Sequence, residues 1–118
     1  MLIGHSYGGS VITDAAARDH ANVKALVYVS ALAPHAGETA AGLSAKFPGS
    51  TLGSAIAPPV KLSTGGNDLY IQQDKFHHQF AAEVPEAEAA LMAATQRPIT
   101  DAALNEASGK PAWTSIPS

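Results

Sequence analysis

Gly4-His5-Ser6-Tyr7-Gly8, with a further Gly9, follows the apolar Met1-Leu2-Ile3 and precedes a stretch with helical periodicity. The order G-x-S-x-G between a strand and a helix predicts a nucleophile elbow, a turn that holds its central serine in a strained backbone conformation. Such a turn calls for residues nearly without side chains two positions to either side of the serine, and Gly4 and Gly8 meet that need. It also sets the serine hydroxyl at the N-terminus of the following helix, where the first N–H groups and the helix dipole favour a developing oxyanion. Ser6 is therefore the candidate nucleophile.

The flanking residues fit this turn. Val11, Ile12, Ala15 and Ala16 recur at helical spacing and give one apolar face, while Asp14 and Arg18 stand i,i+4 apart on the other, spaced to pair in solvent. The helix is expected to stop near Asp19-His20. Val23-Lys24-Ala25-Leu26-Val27-Tyr28-Val29 is then a nearly continuous apolar run of strand length, as expected of a strand covered by helices on both faces. Strand, elbow, helix and strand make one βαβ unit of a parallel sheet.

Ile3-Gly4-His5-Ser6-Tyr7-Gly8-Gly9-Ser10 followed by Ala25-Leu26-Val27-Tyr28-Val29-Ser30-Ala31-Leu32-Ala33-Pro34 resembles the middle of a single-domain α/β-hydrolase of the small serine esterase type. The resemblance is specific over residues 1–38, and the remainder is similar to the helical cap of such enzymes in general character. It implies an α/β fold class, a partial α/β-hydrolase fold with one βαβ unit followed by a mostly helical cap. The expected division is residues 1–36 as partial core, residues 37–112 as cap or lid, and residues 113–118 as the lead-in to a further core strand. By the same resemblance Ser6 is the nucleophile, the backbone N–H of Tyr7 is half of the oxyanion hole, and Gly4 and Gly8 are the elbow glycines. The family order is Ser, then Asp or Glu, then His, on later strands, and the second oxyanion donor comes from an upstream loop. The chain is accordingly expected to be part of a larger, cofactor-free serine hydrolase acting on small carboxylic esters, and to be inactive alone. Alternatives within the fold are a lyase or a cofactor-free haloperoxidase, and outside catalysis a non-catalytic fragment or binding module.

Acid and base candidates within the chain are Asp14, Asp19, Asp68, Asp74 and Asp101 with His5, His20, His35, His77 and His78. His5 reads as a residue packed under the turn, and His20 as a partner of the helix C-terminus. His35, just after the second strand, is the histidine best located for a site. His77 and His78 point about 100° apart on a helix, which leaves Asp74 and His78 as a two-ligand pair, too few for a metal site. No metal is expected.

Hydrophobic residues make up 46% and charged residues 14%, with net charge −3, so there is no basic footprint for nucleic acid. No apolar run approaches the roughly 20 residues needed to span a bilayer, and neither membrane nor nucleic acid is expected as a partner. The absence of cysteine rules out disulfides and fits a cytoplasmic setting.

Beyond Pro34 the composition turns to Ala, Gly, Ser and Pro. Val60-Lys61-Leu62 and Leu69-Tyr70-Ile71 around Gly65-Gly66-Asn67-Asp68 predict a small hairpin. Asp74 is expected to cap a helix over Lys75–Ala82 with Phe76, Phe80 and Ala81 as its apolar stripe. A second helix is expected over Pro85–Thr95 with Ala87, Leu91, Met92 and Ala94 buried, and Thr100 is expected to cap a third running through Leu104 to Ser108, which Gly109 and Pro111 end. Phe76, Phe80 and Met92 read as core first and as pocket lining second.

Overall fold

Strand β1 (Leu2–Ser6) pairs in parallel with β2 (Leu26–Ala31), and helix α1 (Gly8–Ala16) connects them. The computed structural model describes residues 1–17 and 21–118. They fall into two compact units, residues 1–46 with 105–118 and residues 47–104.

In the first unit Leu2 lies opposite Leu26 and Gly4 opposite Tyr28. The ladder is continued before β2 by the Leu2 N–H, which donates to the Ala25 carbonyl at 3.0 Å. The second strand therefore starts three residues later than its apolar run: Val23 packs against the core as a side chain instead of joining the sheet. Helix α1 buries Gly9, Ile12, Thr13 and Ala16, an i, i+3, i+4, i+7 stripe. Val11, expected on that face, is 51% exposed, because the stripe is centred on the small residues that let the helix approach the sheet. The helix end near Asp19-His20 and the Asp14–Arg18 pair lie outside the described residues.

Ile12, Ala16, Leu26 and Ala112 form the core of this unit, joined by Leu2, Val23, Tyr28, Trp113 and Ile116. These side chains share one face of the sheet. On the other face Ile3 is 60% and Val29 49% exposed, so among the described residues helix cover is found on one side. The residues from 105 onward are bound to this unit through their backbone. Gly37 N–H donates to Ser108 O and Ser108 N–H to Glu38 O, each at 2.8 Å, and Leu26 N–H donates to Pro117 O at 2.9 Å. Helix α2 (Ala40–Ala45) is capped by Thr39, whose hydroxyl accepts from the Gly42 N–H at 3.0 Å.

In the second unit β3 (Val60–Lys61) and β4 (Asn67–Leu69) form an antiparallel hairpin, but Asn67 and Asp68, expected in the turn, pair with Lys61 and Val60, so the second strand begins two residues before the expected Leu69; a third strand, β5 (Ile99–Thr100), adds to β4. Helix α3 (Gln73–Phe80) begins at Gln72, so Asp74 sits inside the first turn and is not the cap. Helix α4 (Glu86–Thr95) buries Ala89 and Ala93 against Phe76 and Ala81, while Ala87, Leu91, Met92 and Ala94 face outward. The expected face is thus turned about half a revolution away. Two alanines one turn apart allow α3 and α4 to approach closely around the Phe76 ring, which larger side chains there would prevent. Thr100 does cap α5 (Asp101–Asn105), its hydroxyl accepting from the Ala103 N–H at 3.0 Å, but the helix ends at Asn105, short of the expected Ser108.

Candidate active site

Ser6 ends β1 with φ 52°, in the left-handed region that a non-glycine side chain rarely adopts. Tyr7 returns to helical angles, φ −57° and ψ −27°, as the N-cap of α1. One left-handed residue between a parallel strand and a helix is the turn that the G-x-S-x-G order predicts. Ser6 is half-buried, and no side chain among the described residues hydrogen-bonds to its hydroxyl.

The steric demands of the turn fall on Gly4 and Gly9. A Cβ on Gly4 would stand 2.5 Å from the Gly8 carbonyl oxygen, and one on Gly9 would stand 2.1 Å from the Leu32 oxygen and 2.8 Å from the Ala31 Cβ. At Gly8 the Cβ position meets nothing within 4 Å beyond its chain neighbours and its own helix backbone. The expectation that a side chain at position 8 collides with the turn is corrected accordingly: what Gly8 brings to the close contact is its carbonyl, which packs over Gly4.

Gly9 is crowded because β2 bulges opposite the elbow. His5 pairs with Val29 but Ser6 with Ala31, which leaves Ser30 as the extra residue, and Ser30 has φ 42°. The extra residue carries Ala31 and Leu32 over the first turn of α1. There the Leu32 N–H donates to the Ser6 carbonyl at 3.1 Å. Neither Gly9 nor Ser30 stood out from the sequence. The signal for Gly9 was its place as a second consecutive glycine, whereas a serine near a strand end signals nothing by itself.

Two hydroxyls lie behind this turn. Thr13 is fully buried and its Oγ1 donates to the Gly9 carbonyl at 2.8 Å, while the Tyr28 hydroxyl lies 2.8 Å from the same Oγ1. Asp14, a candidate acid, serves elsewhere: its Oδ1 accepts from Ser108 Oγ at 2.7 Å and from the Gly109 N–H at 3.1 Å, which clasps the returning segment to α1. The Tyr7 phenol is held above its ordinary pKa, first by burial and then by the Glu106 and Asp14 carboxylates, so it stays neutral well into alkaline solution.

The histidines are dispersed. His5 is exposed on the open face of the sheet and is not packed under the turn, since alternation along β1 places it on the side of Ile3. His35 stands edge-on to Trp113 with ring centroids 4.7 Å apart, and the Trp113 indole N–H donates to the Pro34 carbonyl at 3.1 Å. His77 Nε2 is engaged with the Val84 carbonyl at 2.8 Å, and His78 is exposed to the side chain of Gln79. His20 lies outside the described residues. Among the described residues no three His, Cys, Asp or Glu side chains gather as metal ligands would. Phe76 is core, packed with Ala81, Ala89 and Ala93. A groove of about 310 Å³ bordered by Ala16, Val23, Lys110 and Ile116 lies at the end of α1 remote from Ser6.

A strained serine in G-x-S-x-G, closing a parallel strand at the head of a helix, is the hallmark of one group of folds, and the sequence matches the profile of the Alpha/beta hydrolase family over residues 1–118. The chain belongs to the alpha/beta hydrolase family. Its parallel β1–β2 pair, with α1 between, is part of that fold. A search of curated proteins returned no significant match. Among the described residues no helix is long and apolar enough to cross a membrane. Within an alpha/beta hydrolase the close contacts at Gly4 and Gly9 have a clear consequence: they fix where the Ser6 hydroxyl emerges from the sheet.

Proposed function

We infer that Ser6 is the nucleophile of a cofactor-free serine hydrolase that cleaves small carboxylic esters. The observation that carries this reading is the left-handed Ser6, φ 52°, between β1 and α1. Strain at a single polar residue persists only where the surroundings over-determine it, and such residues concentrate at reactive sites. Here the surroundings are the Gly4 and Gly9 contacts and the Leu32 N–H on the Ser6 carbonyl.

In this reading Ser6 Oγ attacks the ester carbonyl carbon as its proton passes to a base. The tetrahedral oxyanion is held by the Tyr7 N–H and a second donor, and collapse breaks the bond to the leaving oxygen, which takes the proton back from the base and departs as the alcohol, leaving an acyl-serine. Water then releases the carboxylic acid by the same steps in reverse order of roles. The base must stand within hydrogen-bond reach of Ser6 Oγ and be oriented by an acid. No described side chain does so, and His35, on the loop that follows β2, is the first to substitute in a search for one. Residues 37–112 are read as the cap or lid region, of which residues 47–104 form their own compact unit, and a cytoplasmic setting belongs to the same proposal.

The test uses the protein expressed from its whole coding sequence. A fluorophosphonate probe is expected to label Ser6, located by peptide mass mapping, and Ser6→Ala is expected to remove both the label and p-nitrophenyl ester turnover while the melting temperature holds. Turnover that survives Ser6→Ala would leave the elbow as architecture and favour a non-catalytic role for the fold.

A further inference from the structure

We propose that Thr13 and Tyr28 are positioning residues for the elbow, a hydroxyl pair, Thr13 buried and Tyr28 half-buried, that sets the axial position of α1 on β2 and thereby the placement of Ser6. The proposal rests on the reading of Ser6 as nucleophile. Its basis is the direction of two hydrogen bonds. The Gly9 carbonyl can only accept, so the Thr13 hydroxyl hydrogen is committed to it at 2.8 Å. The second contact, 2.8 Å between Thr13 Oγ1 and Tyr28 Oη, must then have the tyrosine as donor. A directed chain results, running from Tyr28 to Thr13 to the carbonyl of Gly9 in the first turn of the helix.

Each end of this chain is tied to the elbow. Tyr28 lies directly opposite Gly4 in the β1–β2 register, and Gly4 is the residue against which the Gly8 carbonyl packs. Gly9 is the residue over which Leu32 passes. The Gly4 and Gly9 contacts fix the elbow end of α1, and the Tyr28–Thr13 hydrogen bond ties the helix to β2 at a second point one turn further on. The other hydroxyl in the first turns of α1 makes no such link: Ser10 Oγ is buried without a partner among the described residues. Because Ser6 is one peptide from the helix, an axial slide of α1 changes the Ser6 torsions and moves Oγ and the Tyr7 amide together.

The test compares Thr13→Val, Thr13→Ser, Tyr28→Phe and the Thr13→Val/Tyr28→Phe double variant in the protein from its whole coding sequence. The readouts are kcat and KM for a p-nitrophenyl ester, the rate of fluorophosphonate labelling at Ser6, and the melting temperature. Thr13→Val keeps shape and removes the hydroxyl. It is expected to lower kcat and the labelling rate about tenfold with KM within about twofold, since misplacement of a reacting group costs rate before it costs binding. Thr13→Ser is expected to restore both. Tyr28→Phe, at a half-buried position that folds more readily, is expected to lower kcat about threefold, and the double variant to be no worse than Thr13→Val, as for members of one chain. Labelled wild type with unchanged kcat in Tyr28→Phe and Thr13→Val overturns this inference alone. So does a loss that follows the melting temperature and is not rescued by serine. Wild type that takes no label at Ser6 overturns both this inference and the nucleophile reading.

Discussion

Replacing Gly9 and Gly8 one at a time with alanine separates close packing from mere glycine richness at the elbow. An alanine Cβ at position 9 would lie 2.1 Å from the Leu32 oxygen and 2.8 Å from the Ala31 Cβ, where real Cβ contacts essentially never fall below 3.0 Å. Both obstacles sit on the end of β2, and the oxygen is backbone, so no side-chain rotation relieves the clash. Either α1 or the Ala31–Leu32 segment has to move by about 1 Å, which in a close-packed interior costs about 3 kcal/mol. At position 8 the Cβ meets nothing within 4 Å, and a helical alanine there is expected to be neutral or to stabilise by about 0.5 kcal/mol. Trp113, the single tryptophan, belongs to the unit that carries the elbow, so its fluorescence in a urea titration reports on the correct part of the chain. With a slope of about 1.5 kcal/mol per molar urea, Gly9→Ala should lower the midpoint by about 2 M while Gly8→Ala leaves it in place or raises it slightly. Equal midpoints for the two variants, or a larger loss at position 8, would refute the assignment of the close contact to Gly9.

Two further outcomes concern the second unit. The Asp101 carboxylate accepts from the Asn67 N–H at 3.0 Å and its side-chain amide at 2.6 Å, and these bonds to Asn67 hold its pKa below the ordinary value. Its contribution to stability is thus complete above the ordinary aspartate pKa and fades as pH falls through the lower folded value; an NMR titration of the Asn67 amide should show a midpoint below that ordinary value, and a midpoint at it would count against the link. Ala93→Leu should destabilise by about 1 to 3 kcal/mol by overpacking against Phe76, whereas Leu91→Ala, at a position 64% exposed, should stay within about 0.5 kcal/mol, both read by thermal melting.

The elbow was legible because its signal is local: three consecutive constraints, an apolar strand, a serine between glycines and a helical period, act within a few residues of one another. The strand–helix–strand order, the hairpin of β3 and β4 and the Thr100 cap were legible for the same reason. What the sequence hid depends on partners distant along the chain. Ala89 and Ala93 are buried, in place of Leu91 and Met92, because Phe76 of α3 needs room, a fact about the pair of helices that no period within α4 reveals. Asp14 looked like a solvent-facing residue of α1, yet its Oδ1 accepts from Ser108 and Gly109, more than ninety residues away. His5 looked packed and is exposed, because which face of β1 meets α1 is decided by the helix position and not by β1 itself.

The two left-handed serines are best understood together. Each costs on the order of 1 to 3 kcal/mol of backbone strain, and Ser6 at φ 52° and Ser30 at φ 42° stand at the same level of adjacent strands. Without the extra residue at Ser30, Ala31 would stay in step with the ladder and the chain would not rise over Gly9. The Ser6 carbonyl, which in a ladder without the extra residue would meet the Ala31 N–H, instead accepts from the Leu32 N–H at 3.1 Å. The bulge at Ser30 thus shifts the donor on the Ser6 carbonyl by one residue and carries Leu32 over Gly9. Gly9 follows as the third member of the set, because a chain drawn over the helix to reach that carbonyl leaves no room for a Cβ beneath it.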